Sequence, residues 1–173
     1  MTHDSPTTST SRRALLLAGA SALGLAGCGF KLRQAPDFAF QSIAMPTNTA
    51  YLSQLHRAIG VTGKLTVLPM TEVQQAETVF DVLSETRDRL VLSTNSSGQV
   101  RELQLYLRIR FRLRTPAGKE LIPPSEMVQS RDITYNETAA LAKESEEQLL
   151  YRDMTNDIVQ QTLRRLAAVK SIS

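Results

Sequence analysis

The sequence predicts an α+β fold: a two-layer sandwich in which a roughly four-stranded, mostly antiparallel sheet carries two helices packed on one face. Three observations predict it. Leu103, Leu105, Leu107, Ile109, Phe111 and Leu113 occupy every second position of one segment, with polar residues between them. Such a period belongs to a strand with one buried and one polar face. The last thirty residues or so instead repeat their apolar side chains at helical spacing. Turn-forming tetrads, Asn95-Ser96-Ser97-Gly98 and Thr115-Pro116-Ala117-Gly118, flank the period-two segment and fold its neighbours back beside it.

Each element follows in order. Phe38–Met45 alternates and stops at Pro46, as a strand would. Asn48 or Thr49 can cap a short helix with Leu52, Leu55 and Ile59 on one face, stopping at Gly60. Lys64–Leu68 can be extended, while Thr71–Glu77 is ambiguous. Val79–Ser84 and Leu90–Thr94 are rich in β-formers. The long strand then runs to Arg114, and Glu126–Tyr135 returns as its antiparallel partner. Asn136 or Thr138 caps the C-terminal helix, on which Leu150, Met154, Ile158, Thr162 and Leu166 recur at four-residue steps. Arg164, Arg165 and Lys170 near its end complement the helix dipole.

The chain has 173 residues, with 20 Lys+Arg against 17 Asp+Glu, two histidines and one cysteine. One cysteine excludes an intramolecular disulfide framework and a cysteine-rich zinc module. The N-terminus has its own organisation. A polar segment ends in Arg12-Arg13, and an Ala/Leu/Gly-rich run closes on Leu25-Ala26-Gly27-Cys28. A basic region, a short apolar region and small residues form a secretory signal, and LAGC matches the bacterial lipobox. Residues 1–27 are therefore expected to be a signal peptide, and 28–173 a single periplasmic domain whose Cys28 thiol accepts a diacylglyceryl group. Acylation at Cys28 is the expected anchor, since multiple acyl chains hold a protein stably to a membrane. Gly29, rather than Asp, at the second mature position fits delivery to the outer membrane. Ser11-Arg12-Arg13 leaves the general and twin-arginine routes both open.

Catalytic chemistry is scarce in the mature segment. His56 is its one histidine and lies on the presumed first helix, where a surface role is expected. No nucleophile elbow, P-loop or dinucleotide fingerprint is present, and no metal or soluble cofactor is expected. Glu144, Glu146 and Glu147 read as a solvated acidic helix face. Nucleic acid is a poor partner for an exported chain of small net charge.

Arg108, Arg110, Arg112 and Arg114 stand out, because same-face neighbours on a strand lie ~6.6–6.8 Å apart. Arginine binds phosphate bidentately, so this row is a candidate surface for a polyanion, at this address lipopolysaccharide. The competing account is a solvated face whose arginines pair with acids across the sheet, with Glu120 and Asp132 as candidates.

Several segments together resemble the LPS-assembly lipoprotein family LptE. They are Cys28-Gly29-Phe30-Lys31-Leu32-Arg33, then Leu92-Ser93-Thr94-Asn95 with Gly98 and Glu102-Leu103-Gln104-Leu105. The third runs from Ala140-Leu141-Ala142-Lys143-Glu144 through Glu147-Gln148-Leu149-Leu150 and Tyr151-Arg152-Asp153-Met154 to Leu163-Arg164-Arg165-Leu166. The resemblance implies a non-enzymatic role: a plug, at one-to-one, in the lumen of the outer-membrane β-barrel LptD, binding lipopolysaccharide on its way to the surface. It also implies that Lys143 is a lipopolysaccharide-binding position. The turn before the long strand is basic in some members; here Ser96, Ser97 and Gln99 occupy it and Arg101 follows. Lys143, Arg101 and the row Arg108–Arg114 are thus the candidate lipopolysaccharide ligands. Rival expectations are a stand-alone periplasmic lipid-binding lipoprotein and a lipoprotein hydrolase.

Overall fold

A computed structural model describes residues 36–172. The signal segment, Cys28 and the opening Cys28–Arg33 lie outside the described residues. The sheet has five strands rather than four, in the order β2-β1-β3-β4-β5. β1 (Ser42–Ala44) and β2 (Thr66–Leu68) are three residues each and flank helix α1 (Ala50–Thr62). They pair in parallel, and β1 also pairs in parallel with the start of β3 (Thr78–Thr94). The extended Lys64–Leu68 segment forms β2 and, by pairing with β1 at the sheet edge, brings the count to five. Met70–Gln75, ambiguous from its composition, forms 3-10 turns.

β3, β4 (Val100–Arg114) and β5 (Glu120–Thr134) form a long antiparallel meander. Val79–Ser84 and Leu90–Thr94 prove to be one continuous strand. The polar stretch between them lacks strand composition, yet β4 supplies a partner for almost every residue. β5 begins six residues before the expected Glu126 and carries Pro123-Pro124. An edge strand tolerates prolines, and the register slips there between Ser125 and Ile122. At the β3–β4 turn Asn95 accepts backbone N–H bonds from Ser97 (3.0 Å) and Gln99 (2.9 Å), and Gly98 takes φ 80°. That dihedral favours glycine.

Thr49 caps α1 by accepting the Leu52 N–H at 3.2 Å. The helix passes through Gly60 and ends at Gly63, whose left-handed φ of 63° closes it. Thr49→Ala is expected to cost about 1 kcal/mol, read as a small fall in denaturant midpoint with an unchanged slope. Asn136 caps only a 3-10 turn; the C-terminal helix α2 starts at Ala140 and runs to Ala167.

Leu103 to Leu113, odd positions of β4, are buried and share one core with Tyr51, Leu52, Leu55 and Ile59 of α1 and Met154, Ile158, Leu163 and Leu166 of α2. Both helices therefore cover one face of the sheet, and the other face is open. Tyr51 is fully buried, its hydroxyl 2.8 Å from Thr162 Oγ1, which itself donates to the Ile158 carbonyl at 2.9 Å. Burial raises the Tyr51 pKa above the usual phenol value, so the hydroxyl stays protonated as a donor.

Candidate functional site

The candidate cations fall into two places. Arg108, Arg110, Arg112 and Arg114 are even positions of β4 and project from the open face, away from the helices. Lys143 belongs to the first turns of α2, on the helical side, and Arg101 to the far end of β4. The arginine row and Lys143 do not converge.

The row meets acids of its own sheet. Arg112 Nε and Arg114 Nε both donate to Asp81 Oδ2 at 2.8 Å, and Arg108 Nε lies 3.5 Å from Asp88 Oδ2. Both acids come from β3, not from β5 as expected. Asp132 instead accepts from Gln104 Nε2 at 2.8 Å, and Glu120 stands opposite Arg114 in register without an ion pair among the described residues. The Arg108 guanidinium also stacks 4.8 Å from the centre of the Tyr106 ring. Arg110, between Ser84 and Glu126, makes no ion pair among the described residues. By register and alternation the open face of the three long strands sets these four arginines against Asp81, Asp88, Glu102, Glu120, Glu126 and Asp132. A central cationic column is thus flanked by acids on both sides. Such a face is no net-positive field for a polyanion.

Asp81 records the same balance. Burial by itself pushes its carboxyl pKa up, but the hydrogen bonds and charges of Arg114 and Arg112 outweigh that and hold it below the ordinary carboxylate range.

The second place is a cleft of about 250 Å³ between the start of α2 and the distal end of the meander. Leu103, Ile133, Tyr135 and Leu141 supply its apolar lining; Arg89 and Lys143 supply its cations, and Glu144 and Glu147 also line it. Lys143 Nζ donates to Thr134 Oγ1 at 3.0 Å and to Glu146 Oε2 at 2.8 Å, and its side chain is 19% exposed. Arg89 Nε and one terminal nitrogen each lie 2.9 Å from Glu147 Oε1. Glu147 is 14% exposed, so the expected solvated acidic face is only partly that: two of its glutamates neutralise the cleft. Arg101 lines a neighbouring depression that shares Tyr135, where the Tyr135 N–H donates to the Arg101 carbonyl at 2.7 Å.

Tyr151 fixes the separation of α2 from β3 here. Its hydroxyl donates to the Asp88 carbonyl at 3.2 Å, and Arg87 stacks 4.9 Å from its ring centre. Burial, with Glu147 nearby, raises the Tyr151 pKa, keeping that donor protonated. Exposed apolar residues stand at the same end: Val91 of β3 and Leu141 of α2, at 83% exposure, on the helical side, and Leu90, opposite Gln104, on the open face.

Arg89 was not among the expected ligands. It falls in the polar middle of β3, where the sequence shows neither strand period nor motif; only the antiparallel register with Leu105 puts it on the helical side. His56 is exposed and lines a separate cleft of about 340 Å³ beside Met45, Val67 and Met70. Among the described residues no three His, Cys, Asp or Glu side chains gather as a metal site, and no helix is long and apolar enough to cross a membrane.

Comparison with known proteins places this geometry. A family model described as LptE, lipopolysaccharide-assembly, matches residues 38–166. The chain is 28% identical over 159 residues to the LPS-assembly lipoprotein LptE of Pectobacterium atrosepticum, covering 89% of this chain and 84% of that one. The solution structure of an uncharacterized lipoprotein B from Nitrosomonas europaea is similar with a TM-score of 0.68 and 32% identity, over 81% of this chain and 91% of that one. A minor lipoprotein from Acinetobacter baumannii shares the fold at a TM-score of 0.59 and 21% identity, over 77% of this chain and 94% of that one.

Proposed function

Because the chain belongs to the LptE family, non-enzymatic envelope lipoproteins of lipopolysaccharide assembly, we propose that it is anchored to the outer membrane through acylated Cys28 and plugs an LptD-type β-barrel at one-to-one. In that setting the distal cleft binds lipopolysaccharide. The observation that carries the binding site is the meeting of cations and apolar side chains in one place. Lys143 and Arg89 offer charge to lipid phosphates, with Arg101 in the neighbouring depression, while Leu103, Ile133, Tyr135 and the exposed Leu141 of the same lining offer apolar surface to acyl chains. The open face, where six acids surround four arginines, suits a different neighbour: the polar lumenal wall of a barrel.

The family role is tested by tagging the full-length lipoprotein in its native host, extracting it in mild detergent and identifying what remains bound. A large β-barrel at one-to-one is expected. Recovery of the protein alone, or with lipid only, would favour a stand-alone carrier. The site is tested separately. Lys143→Glu should weaken binding to lipopolysaccharide micelles about five- to tenfold at low salt, and less at high salt, because ions screen the attraction between the micelle's phosphates and the cleft's cations. Arg110→Glu, on the open face, should change it less than twofold. The reverse order would move the site to the sheet.

A further inference from the structure

Both cations of the cleft are already occupied. Lys143 is held by Glu146 and Arg89 by Glu147, and these neighbouring glutamates lie on consecutive positions of α2. Lys143 has a second restraint in Thr134, so its ammonium sits at a defined point of the rim rather than sweeping through solvent. Arg89 is the more exposed partner of its pair, at 61% against 14% for Glu147. Its outer N–H groups therefore face the solvent side while the carboxylate is tucked behind.

Resting on the reading of this cleft as the lipopolysaccharide site, we propose that Arg89 is a second phosphate ligand beside Lys143, and that Glu146 and Glu147 are built-in counter-anions that a phosphorylated lipid headgroup displaces. A carboxylate and a phosphate oxygen compete for the same donors, and phosphate offers more acceptor oxygens and more charge. Each pair has one partner open to solvent, Glu146 at 49% and Arg89 at 61% exposure, so each contributes little and costs little to displace. Two such pairs side by side favour a ligand with two phosphates or closely spaced anionic groups over one with a single anion. With Glu144, Glu146 and Glu147 around Lys143 and Arg89, an empty cleft carries no excess positive charge and gathers no unrelated anions. That arrangement suits a component that must hand its ligand on.

Glu144, the neighbouring glutamate, provides the control. It lines the cleft but makes no ion pair among the described residues. Glu144→Gln, Glu146→Gln and Glu147→Gln each remove one negative charge from the same few turns of helix. A purely long-range field would make the three alike. Exchange predicts that Glu146→Gln and Glu147→Gln tighten binding of lipopolysaccharide to the full-length lipoprotein in detergent by about two- to fivefold, with Glu144→Gln close to the parent. Arg89→Gln should weaken it by a similar factor, and dephosphorylated lipopolysaccharide should show none of these differences. Inorganic phosphate should bind far more weakly than the phosphorylated lipid; comparable affinity would make this a free-anion site and overturn the lipid assignment. If the three glutamate variants bind alike while Lys143→Glu still weakens binding, the exchange is wrong and the site stands. If Lys143→Glu has no effect either, the reading of the cleft itself fails.

Discussion

Phe111→Ala is expected to lower the stability of the folded domain by about 3–5 kcal/mol, the largest single effect on the core. Phe111 is fully buried near the C-terminal end of the apolar row of β4 and stacks on Phe80 of β3 with centroids 5.2 Å apart and planes 24° from parallel. Arg165 of α2 places its guanidinium 5.8 Å from the Phe111 ring centre, so the ring joins strand, neighbouring strand and helix. Truncation removes the aromatic pair and leaves a void that neither β-strand can close without breaking its register. For a domain of this size each kcal/mol moves the midpoint by roughly 2–4 °C, so a thermal melt should fall by about 6–20 °C. Phe111→Leu should retain much of the difference. A drop of under 1 kcal/mol for alanine would mean that the sheet–helix interface is centred elsewhere.

The second large effect belongs to Asp81. Its carboxylate takes two charge-assisted hydrogen bonds, at 2.8 Å from Arg112 and 2.8 Å from Arg114, with the side chain only 16% exposed. Asp81→Ala leaves two neighbouring guanidinium groups facing each other without their shared acceptor, and about 2–3 kcal/mol of stability should be lost at neutral pH. The pH dependence has a definite sign. The folded-state pKa of Asp81 is depressed, so its contribution is complete above the unfolded-state value of about 3.9 and disappears as pH falls through the lower folded value. Asp81→Asn removes that dependence, and its denaturation curves should approach those of the parent in acid while lying below them at pH 7. Curves that stay parallel down to pH 2 would show that Asp81 carries no linkage.

Arg89 and the row Arg108–Arg114 show where reading from sequence stopped. Period two made the row conspicuous and correctly placed it on one face. Nothing local reveals that Asp81, thirty-one residues before Arg112, accepts its proton-bearing nitrogens, because partner identity depends on register between strands. The reverse holds for Arg89, which is inconspicuous in Glu85-Thr86-Arg87-Asp88-Arg89 but faces a cleft once β3 lies against β4. Lys143 was identified through family resemblance, and its restraint by Thr134 and Glu146 needed the three-dimensional arrangement.

By itself the sequence determined the α+β class, the long period-two strand, the amphipathic C-terminal helix, a cap at Asn48 or Thr49 and the antiparallel turns. All of these are local: they depend on side-chain period, on φ preference or on a hydrogen bond within a few residues. Tertiary structure alone decided that β3 is continuous, that β1 and β2 join it in parallel, that the arginine row is balanced within its own sheet, and that Lys143 and Arg89 share a cleft. These features rest on contacts between residues far apart in the chain. Their energies come from register, burial and paired charge, which arise only when distant segments are brought together.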